Sequence, residues 1–246
     1  MSGWATAGEL APILRYLDEL GFRELVRPPR AAPSSAAVRD RGRAAGTTAA
    51  RTAAAGAEDA GERLERLRSL EAEAKGCTAC ALHQGRRNVV FGSGSPTADL
   101  MFIGEGPGAR EDEQGLPFVG PAGELLTRII EAIELSRDEV YIANVVKCRP
   151  PSNRDPLPEE VRACRRFLDG QIRLVAPRVI VALGRVAAQT LLGTDQPLGR
   201  MRGEWFEVEG VPTRVTYHPA ALLRNTALKR PTWEDMQVVR DRLRRG

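Results

Sequence analysis

The chain lacks any uninterrupted apolar run near the ~20 residues that a membrane-crossing helix requires, which excludes a helical spanning protein. It also lacks a basic stretch followed by an apolar core at its start, where residues after Trp4 are acidic and polar, so no secretory signal is read there. Cysteine is sparse: four in 246 residues, without a signal, do not make a secreted disulfide scaffold, and reducing cytoplasm is the expected setting. There is no large excess of one charge, since 36 Lys and Arg against 32 Asp and Glu leave +4, which permits a nucleic-acid partner without demanding one. Histidine is scarcer still, with two in the chain. What remains, 42% apolar and 28% charged, describes a soluble globular chain of one domain, or one domain with an appendage.

Three segments separate by pattern. Residues 1–26 carry Leu10, Ile13, Leu14, Leu17 and Leu25 at helical spacing, and Thr6 with Glu9 has the spacing of a capping box, so an N-terminal amphipathic helix is expected. Residues 27–60 are rich in Ala and Arg, hold Pro28, Pro29 and Pro33, and offer no apolar stripe to bury; they read as a flexible linker. From residue 61 to 246 the pattern is that of a packed domain. Within it, Asp99–Gly104, Val140–Val146, Arg178–Leu183 and Thr213–Tyr217 are short β-branched runs, and amphipathic stretches such as Glu124–Leu135 and Pro158–Leu174 fall between the first three. That alternation predicts an α/β domain with a mainly parallel sheet, with Trp205–Val208 and Thr213–Tyr217 also suited to a hairpin. Ligands of such sheets bind beyond the carboxyl ends of the strands, so the segments after Ile103, Val146 and Tyr217 are where chemistry is expected.

All four cysteines lie in the packed domain: Cys77 and Cys80 as C-x2-C, then Cys148 and Cys164. Four thiolates suit a tetrahedral zinc or a [4Fe–4S] cluster, and spacing does not decide between them. The plain alternative, unligated buried cysteine, fits poorly beside Lys75, Gly76 and Thr78. His83 is a further candidate ligand, or a neighbour of the ligands.

The strand-end loops are unusual. Gly104-Glu105-Gly106-Pro107-Gly108 lets the backbone approach a ligand closely, and Glu105, Glu111, Asp112 and Glu113 offer carboxylates to activate a water; the alternative is a solvated acidic turn. Phe118, between Pro117 and Gly120, is either core or a stacking platform for a flat ligand. Asn144 interrupts an apolar strand, where an amide is costly unless paired. Its donor–acceptor edge matches a pyrimidine's imide edge, the favoured reading, with an amide that pins a neighbouring loop as the alternative. The Gly92-Ser-Gly94 stretch precedes a strand, which rejects a Rossmann phosphate loop. His218 follows the last strand in Tyr-His-Pro-Ala-Ala-Leu-Leu-Arg, where Leu222 or Leu223 beside Arg224 suits a wedge entering a duplex while the cation meets phosphate, core packing being the alternative for the leucines.

Residues 1–26 carry −2 and the linker +3, so the chain's +4 leaves the domain +3, and DNA affinity requires a local patch. Arg86–Arg87, Lys147–Arg149 with Arg154, Arg200–Arg202, and Arg224 with Lys229–Arg230 are the candidate clusters.

Taken together, C-x2-C with the two later cysteines, GEGPGAREDEQGLPFVGPAG, VYIANVVKCRPPSNRDPLPEEVRAC and HPAALLR resemble the family 4 uracil-DNA glycosylases, the iron–sulfur type, over roughly residues 64–238. The resemblance implies a uracil-glycosylase fold, a structural [4Fe–4S] cluster on Cys77, Cys80, Cys148 and Cys164, and excision of uracil from DNA; a three-layer α/β/α domain that acts as a monomer on single- and double-stranded DNA is the expectation. It implies that Phe118 stacks on the flipped uracil, Asn144 bonds its edge, His218 donates to its oxygen, and Leu222 fills the gap in the helix. Glu105 and Gly106 stand where the best-known glycosylase family has a Gln-Asp pair, so Glu111, with Glu105 as alternative, is the candidate for positioning water. Flipping is needed because the scissile bond is hidden in the stack. A related covalent uracil-DNA binder carries a histidine in an inserted loop; the span CRPPSNRDPLPEEVRA has neither, so that reading is rejected. The rivals that remain are a metal-stabilised DNA-binding protein without catalysis and a glycosylase for another deaminated base. The N-terminal helix is a candidate docking element for a partner protein such as a replication clamp, though nothing in it identifies one.

Overall fold

A computed structural model describes residues 60–245. The expected N-terminal helix, and the linker apart from Ala60, lie outside the described residues. Six strands form one sheet: β1 (Ser93–Gly94), β2 (Leu100–Gly104), β3 (Tyr141–Asn144), β4 (Val179–Leu183), β5 (Trp205–Val208) and β6 (Val211–Thr216). Their order is β1-β3-β2-β4-β6-β5. The central four run parallel, while β1 and β5 pair antiparallel at the two edges. The hairpin reading of the last two strands holds. Its turn is Glu209-Gly210, both at positive φ (51° and 80°), the geometry that matches strand twist, so β6 begins at Val211.

The helices are α1 (Ala60–Lys75), α2 (Ala109–Gln114), α3 (Pro121–Ala132), α4 (Pro158–Val175), α5 (Arg185–Leu192), α6 (Leu198–Met201), α7 (Pro219–Arg224) and α8 (Lys229–Arg244). Strand periodicity assigns them to two layers. Met101, Ile103, Ala143, Ile180, Ala182 and Val215 face one way and pack with Leu67 of α1, Phe167, Leu168 and Ile172 of α4, and Leu191 of α5. Leu100, Phe102, Ile142, Val179 and Val181 face the other way, against Leu125, Leu126 and Ile130 of α3, Leu222 of α7, and Met236 and Val239 of α8. Each of the larger of these buried side chains contributes roughly 1.5–3 kcal/mol, so both layers are held by apolar burial. The result is the expected α/β/α sandwich.

Prolines set both helices expected from the pattern. Pro121 and Pro158 occupy first-turn positions where a missing N–H is harmless. The carboxylate of Glu160 accepts the Leu157 N–H at 2.7 Å and so closes the start of α4. No described helix is long and apolar enough to cross a membrane. Register then places the site: Gly104 lies opposite Asn144 and Leu183 opposite Thr216, so four parallel strands end along one rim.

Candidate active site and cysteine pocket

At that rim lies a cleft of about 420 Å³, lined among others by Glu105, Gly106, Glu111, Phe118, Asn144, His218 and Arg224. Seven candidates separated widely in sequence therefore meet in one place, because β2, β3 and β6 all end there.

Two glycines allow the close approach. A Cβ on Gly104 would lie 2.5 Å from Asn144 Oδ1 and 2.6 Å from the Phe118 ring, so only hydrogen lets both side chains converge. Gly184, at φ 90°, starts α5 where a Cβ would stand 2.9 Å from the Cβ of His218.

Asn144 is 2% exposed, and its Oδ1 has no hydrogen-bond partner among the described residues. A buried acceptor without a partner destabilises the protein on its own, by about 1–3 kcal/mol, and is satisfied when a ligand supplies a donor. Phe118 adopts φ 53°, a conformation that a bulky residue keeps only under constraint. The constraint is Glu111, whose Oε1 accepts the N–H groups of Val119 and Gly120, both at 2.9 Å; Arg137 also donates to the Pro117 carbonyl at 2.9 Å. The Phe118 ring then lies 5.5 Å, centroid to centroid, from His218, tilted by 30°.

His218 Nδ1 accepts the Ala220 N–H at 3.1 Å, so a neutral ring carries its proton on Nε2. Burial, helped by the Arg224 cation and opposed by Glu111, holds its pKa down at about 4, and at neutral pH the imidazole is an uncharged donor. Glu105 shows the opposite displacement. Burial first, then the Asp155 carboxylate, opposed by Arg185, pushes its pKa up to about 7.

Some sequence expectations require correction. Leu222 is 1% exposed and belongs to the core with α3 and α8, whereas Leu223 is 47% exposed. Leu223 is therefore the leucine left at the surface, since α7 packs on α3 and turns adjacent side chains to opposite surroundings. Lys147 is no part of a surface patch: it is 1% exposed. Other supposed patch cations are also engaged. Arg154 grips Glu160 through both terminal nitrogens, Arg202 bonds Asp235 at 2.9 Å, and Arg86 bonds the Cys148 sulfur at 3.2 Å. Asp112 is buried and accepts the Arg87 N–H at 2.9 Å, which anchors a loop rather than activating water. Sequence reasoning did not assign Asn153 or Asp155 to the cleft. Their place nine and eleven residues past the end of β3, in a loop of prolines, was the available signal.

The cysteines gather on the opposite face of the sheet. Cys77, Cys80, Cys148 and Cys164, all unpaired, line one small hollow with His83, Arg86, Lys147 and Phe167. His83 Nδ1 bonds the Cys80 carbonyl at 2.7 Å, so it stands as a neighbour of the cysteines. Arg86 and the Lys147 N–H, 3.3 Å from Cys164 Sγ, direct donors at the sulfurs. Among the described residues no three His, Cys, Asp or Glu side chains converge on one ion. Four thiols and, among the described residues, no carboxylate line the hollow, a donor set that fits a thiolate-held metal centre.

A model of the Uracil DNA glycosylase superfamily matches residues 91–237. The chain is 45% identical to a type-4 uracil-DNA glycosylase of Thermotoga maritima over 179 residues, covering 71% of this chain and 93% of the relative. It is 42% identical to the type-4 enzyme of Sulfurisphaera tokodaii over 187 residues, covering 72% and 85%, and 42% identical to that of Archaeoglobus fulgidus, covering 72% and 92%. With the sheet order, the strand-end cleft and the four-cysteine hollow, these similarities establish that the chain belongs to the uracil-DNA glycosylase superfamily, among its type-4 members.

Proposed function

We propose that this chain is a monofunctional uracil-DNA glycosylase that hydrolyses the N-glycosidic bond of flipped-out uracil in single- and double-stranded DNA, acting as a monomer in base-excision repair in the cytoplasm. The observation that carries the reading is Asn144, which lines the cleft with a buried Oδ1 that has no partner among the described residues, in a site also lined by an aromatic ring and a neutral imidazole. Oδ1 accepts the uracil N3–H while the amide NH₂ donates to O4, an edge that cytosine cannot match. Phe118 stacks on the ring, worth about 1–3 kcal/mol for a base on an aromatic platform.

As the bond from C1′ to N1 breaks, its electron pair leaves with the base. The anion is spread toward O2, where the His218 Nε2–H donates without first losing a charge of its own. Ionised Glu105 offsets the positive charge developing on the sugar and takes a proton from the water that adds to C1′. Glu111 holds the Phe118 loop and is a positioning residue in this scheme. Leu223 fills the space vacated by the flipped nucleotide, and the exposed Arg224 meets phosphate. No lysine lines the cleft among the described residues, which fits hydrolysis without strand-cleaving imine chemistry. Cys77, Cys80, Cys148 and Cys164 would hold a [4Fe–4S] cluster, which would cross-link the segment after α1, the segment after β3, and α4.

The test is incubation of the protein with a 5′-labelled oligonucleotide holding one uracil, without added metal, followed by alkali. A break at the uracil, absent from a thymine control, is expected. An intact uracil strand from iron-loaded protein would overturn the glycosylase reading and leave the rivals, a DNA-binding role or another damaged base.

A further inference from the structure

Lys147 is the largest polar side chain in the deep interior, and the glycosylase scheme gives it no task. Its Nζ donates to the backbone carbonyl of Asn144 at 2.7 Å and to Gln171 Oε1, and it lies 5.9 Å from the centre of the Phe91 ring. Gln171 is itself tied down, donating to the Phe91 carbonyl at 2.8 Å and to the Tyr141 hydroxyl at 3.2 Å. No carboxylate is among these partners. A buried ammonium without a counter-charge is strongly disfavoured, and such lysines are retained where a negative charge stands nearby. The nearest concentration of negative charge, once thiolates form, is the cysteine hollow that Lys147 also lines. Its own backbone N–H points at Cys164 Sγ at 3.3 Å, and its carbonyl accepts the Val90 N–H at 2.8 Å.

The same residue thus reaches both sites. β3 ends at Asn144, and the Asn144 carbonyl is taken up by the ammonium three residues later. That bond fixes the peptide plane from which the Asn144 side chain projects into the cleft.

We propose that Lys147 is a positioning residue that couples the two sites: its ammonium is a counter-charge for the anionic cysteine-bound cluster and, through the Asn144 carbonyl, holds the uracil-reading amide in its orientation. The inference rests on the cluster and uracil readings above. Two variants separate its halves. Lys147→Met removes both charge and donor, whereas Lys147→Gln removes the charge and keeps a donor.

The experiment measures iron per chain, the cluster's reduction potential, and KM and kcat on a uracil-containing single strand for wild type and both variants. Loss of a nearby cation makes an anionic cluster harder to reduce, so the potential should fall in both variants. KM should rise on the order of tenfold in Lys147→Met, as for loss of a hydrogen bond to a charged group, and less in Lys147→Gln. Iron-loaded variants with wild-type potential and wild-type KM would overturn the proposal. If Lys147→Met does not fold, Lys147→Gln still decides the charge half, where an unchanged potential contradicts it. Wild-type protein that binds no iron would instead refute the cluster reading, and wild-type protein that leaves uracil in place would refute the substrate reading.

Discussion

The two pockets differ in how their polar atoms are satisfied. In the strand-end cleft, among the described residues, Asn144 Oδ1 is unpaired and the Nε2 side of His218 is left for a partner, while Glu105 is half-buried near the Asp155 carboxylate. In the cysteine hollow, donors already point inward: Arg86 bonds Cys148, and the Lys147 N–H bonds Cys164. Burial pushes the thiols up, Cys164 to about 11 and Cys148 in the same direction, and these cations and N–H groups act against it. One pocket leaves polar demand unmet, as a site that takes up and releases a ligand does; the other already surrounds its sulfurs with donors, as the proposed cluster would need. Unmet demand in one pocket and met demand in the other thus separate two kinds of site in one fold.

The difference is broken most severely from the cysteine side. Cys148→Ser should lose iron and drop the melting temperature by about 10 °C, because a held cluster contributes folding energy outright. Iron analysis and calorimetry check this, and full iron loading of the variant would remove Cys148 from the ligand set.

Next in size is a pair of neighbours. Leu222→Ala should destabilise the fold by roughly 2–5 kcal/mol, as for buried leucine truncation, while Leu223→Ala should leave stability within about 0.5 kcal/mol. Leu223→Ala should slow excision from duplex and spare single strands, since only the duplex needs a wedge. Denaturant melts and paired substrate assays read both outcomes, and a duplex defect confined to Leu222→Ala would restore the wedge to that residue.

Glu105→Gln should reduce excision on the order of 10²-fold. In wild type, kcat/KM should rise with pH through about 7 as Glu105 ionises, a limb the variant should lack. The sign for stability is opposite. A carboxyl whose folded pKa is raised favours its protonated form, so its contribution is present at low pH and is lost as pH rises through about 7. Glu105→Gln should therefore melt higher than wild type above neutral pH. The smallest effect belongs to Glu111→Gln, which weakens the two 2.9 Å bonds that hold the Phe118 loop. It should raise KM several-fold, about 1 kcal/mol, with little change in kcat; a large kcat loss would return Glu111 to the water.

Much of this was legible from residues alone. The β-branched runs Asp99–Gly104, Val140–Val146 and Arg178–Leu183 announced parallel strands, although the second strand stops at Asn144, two residues before its run ends. Asn144 in an apolar strand and His218 after the last one were conspicuous because their types are costly or rare there. The remainder depended on tertiary packing. Leu222 and Leu223 are identical in type, and only the packing of α7 on α3 decides which is buried. Lys147 sits in a run, Lys-Cys-Arg, that reads as basic surface, because its partners are a carbonyl and Gln171, which no local pattern reveals. Glu105 and Glu111 are equivalent as letters. They separate only when one carboxylate is seen to bond two loop N–H groups and the other to face Asp155.

The claim that the cleft reads uracil through one unpaired amide is tested most directly by Asn144→Ala in single-turnover excision, with iron content and melting temperature measured on the same preparation. The account predicts full iron, near wild-type melting and excision reduced on the order of 10³-fold, as expected when a site built around a hydrogen bond loses it. Excision at the wild-type rate would contradict it.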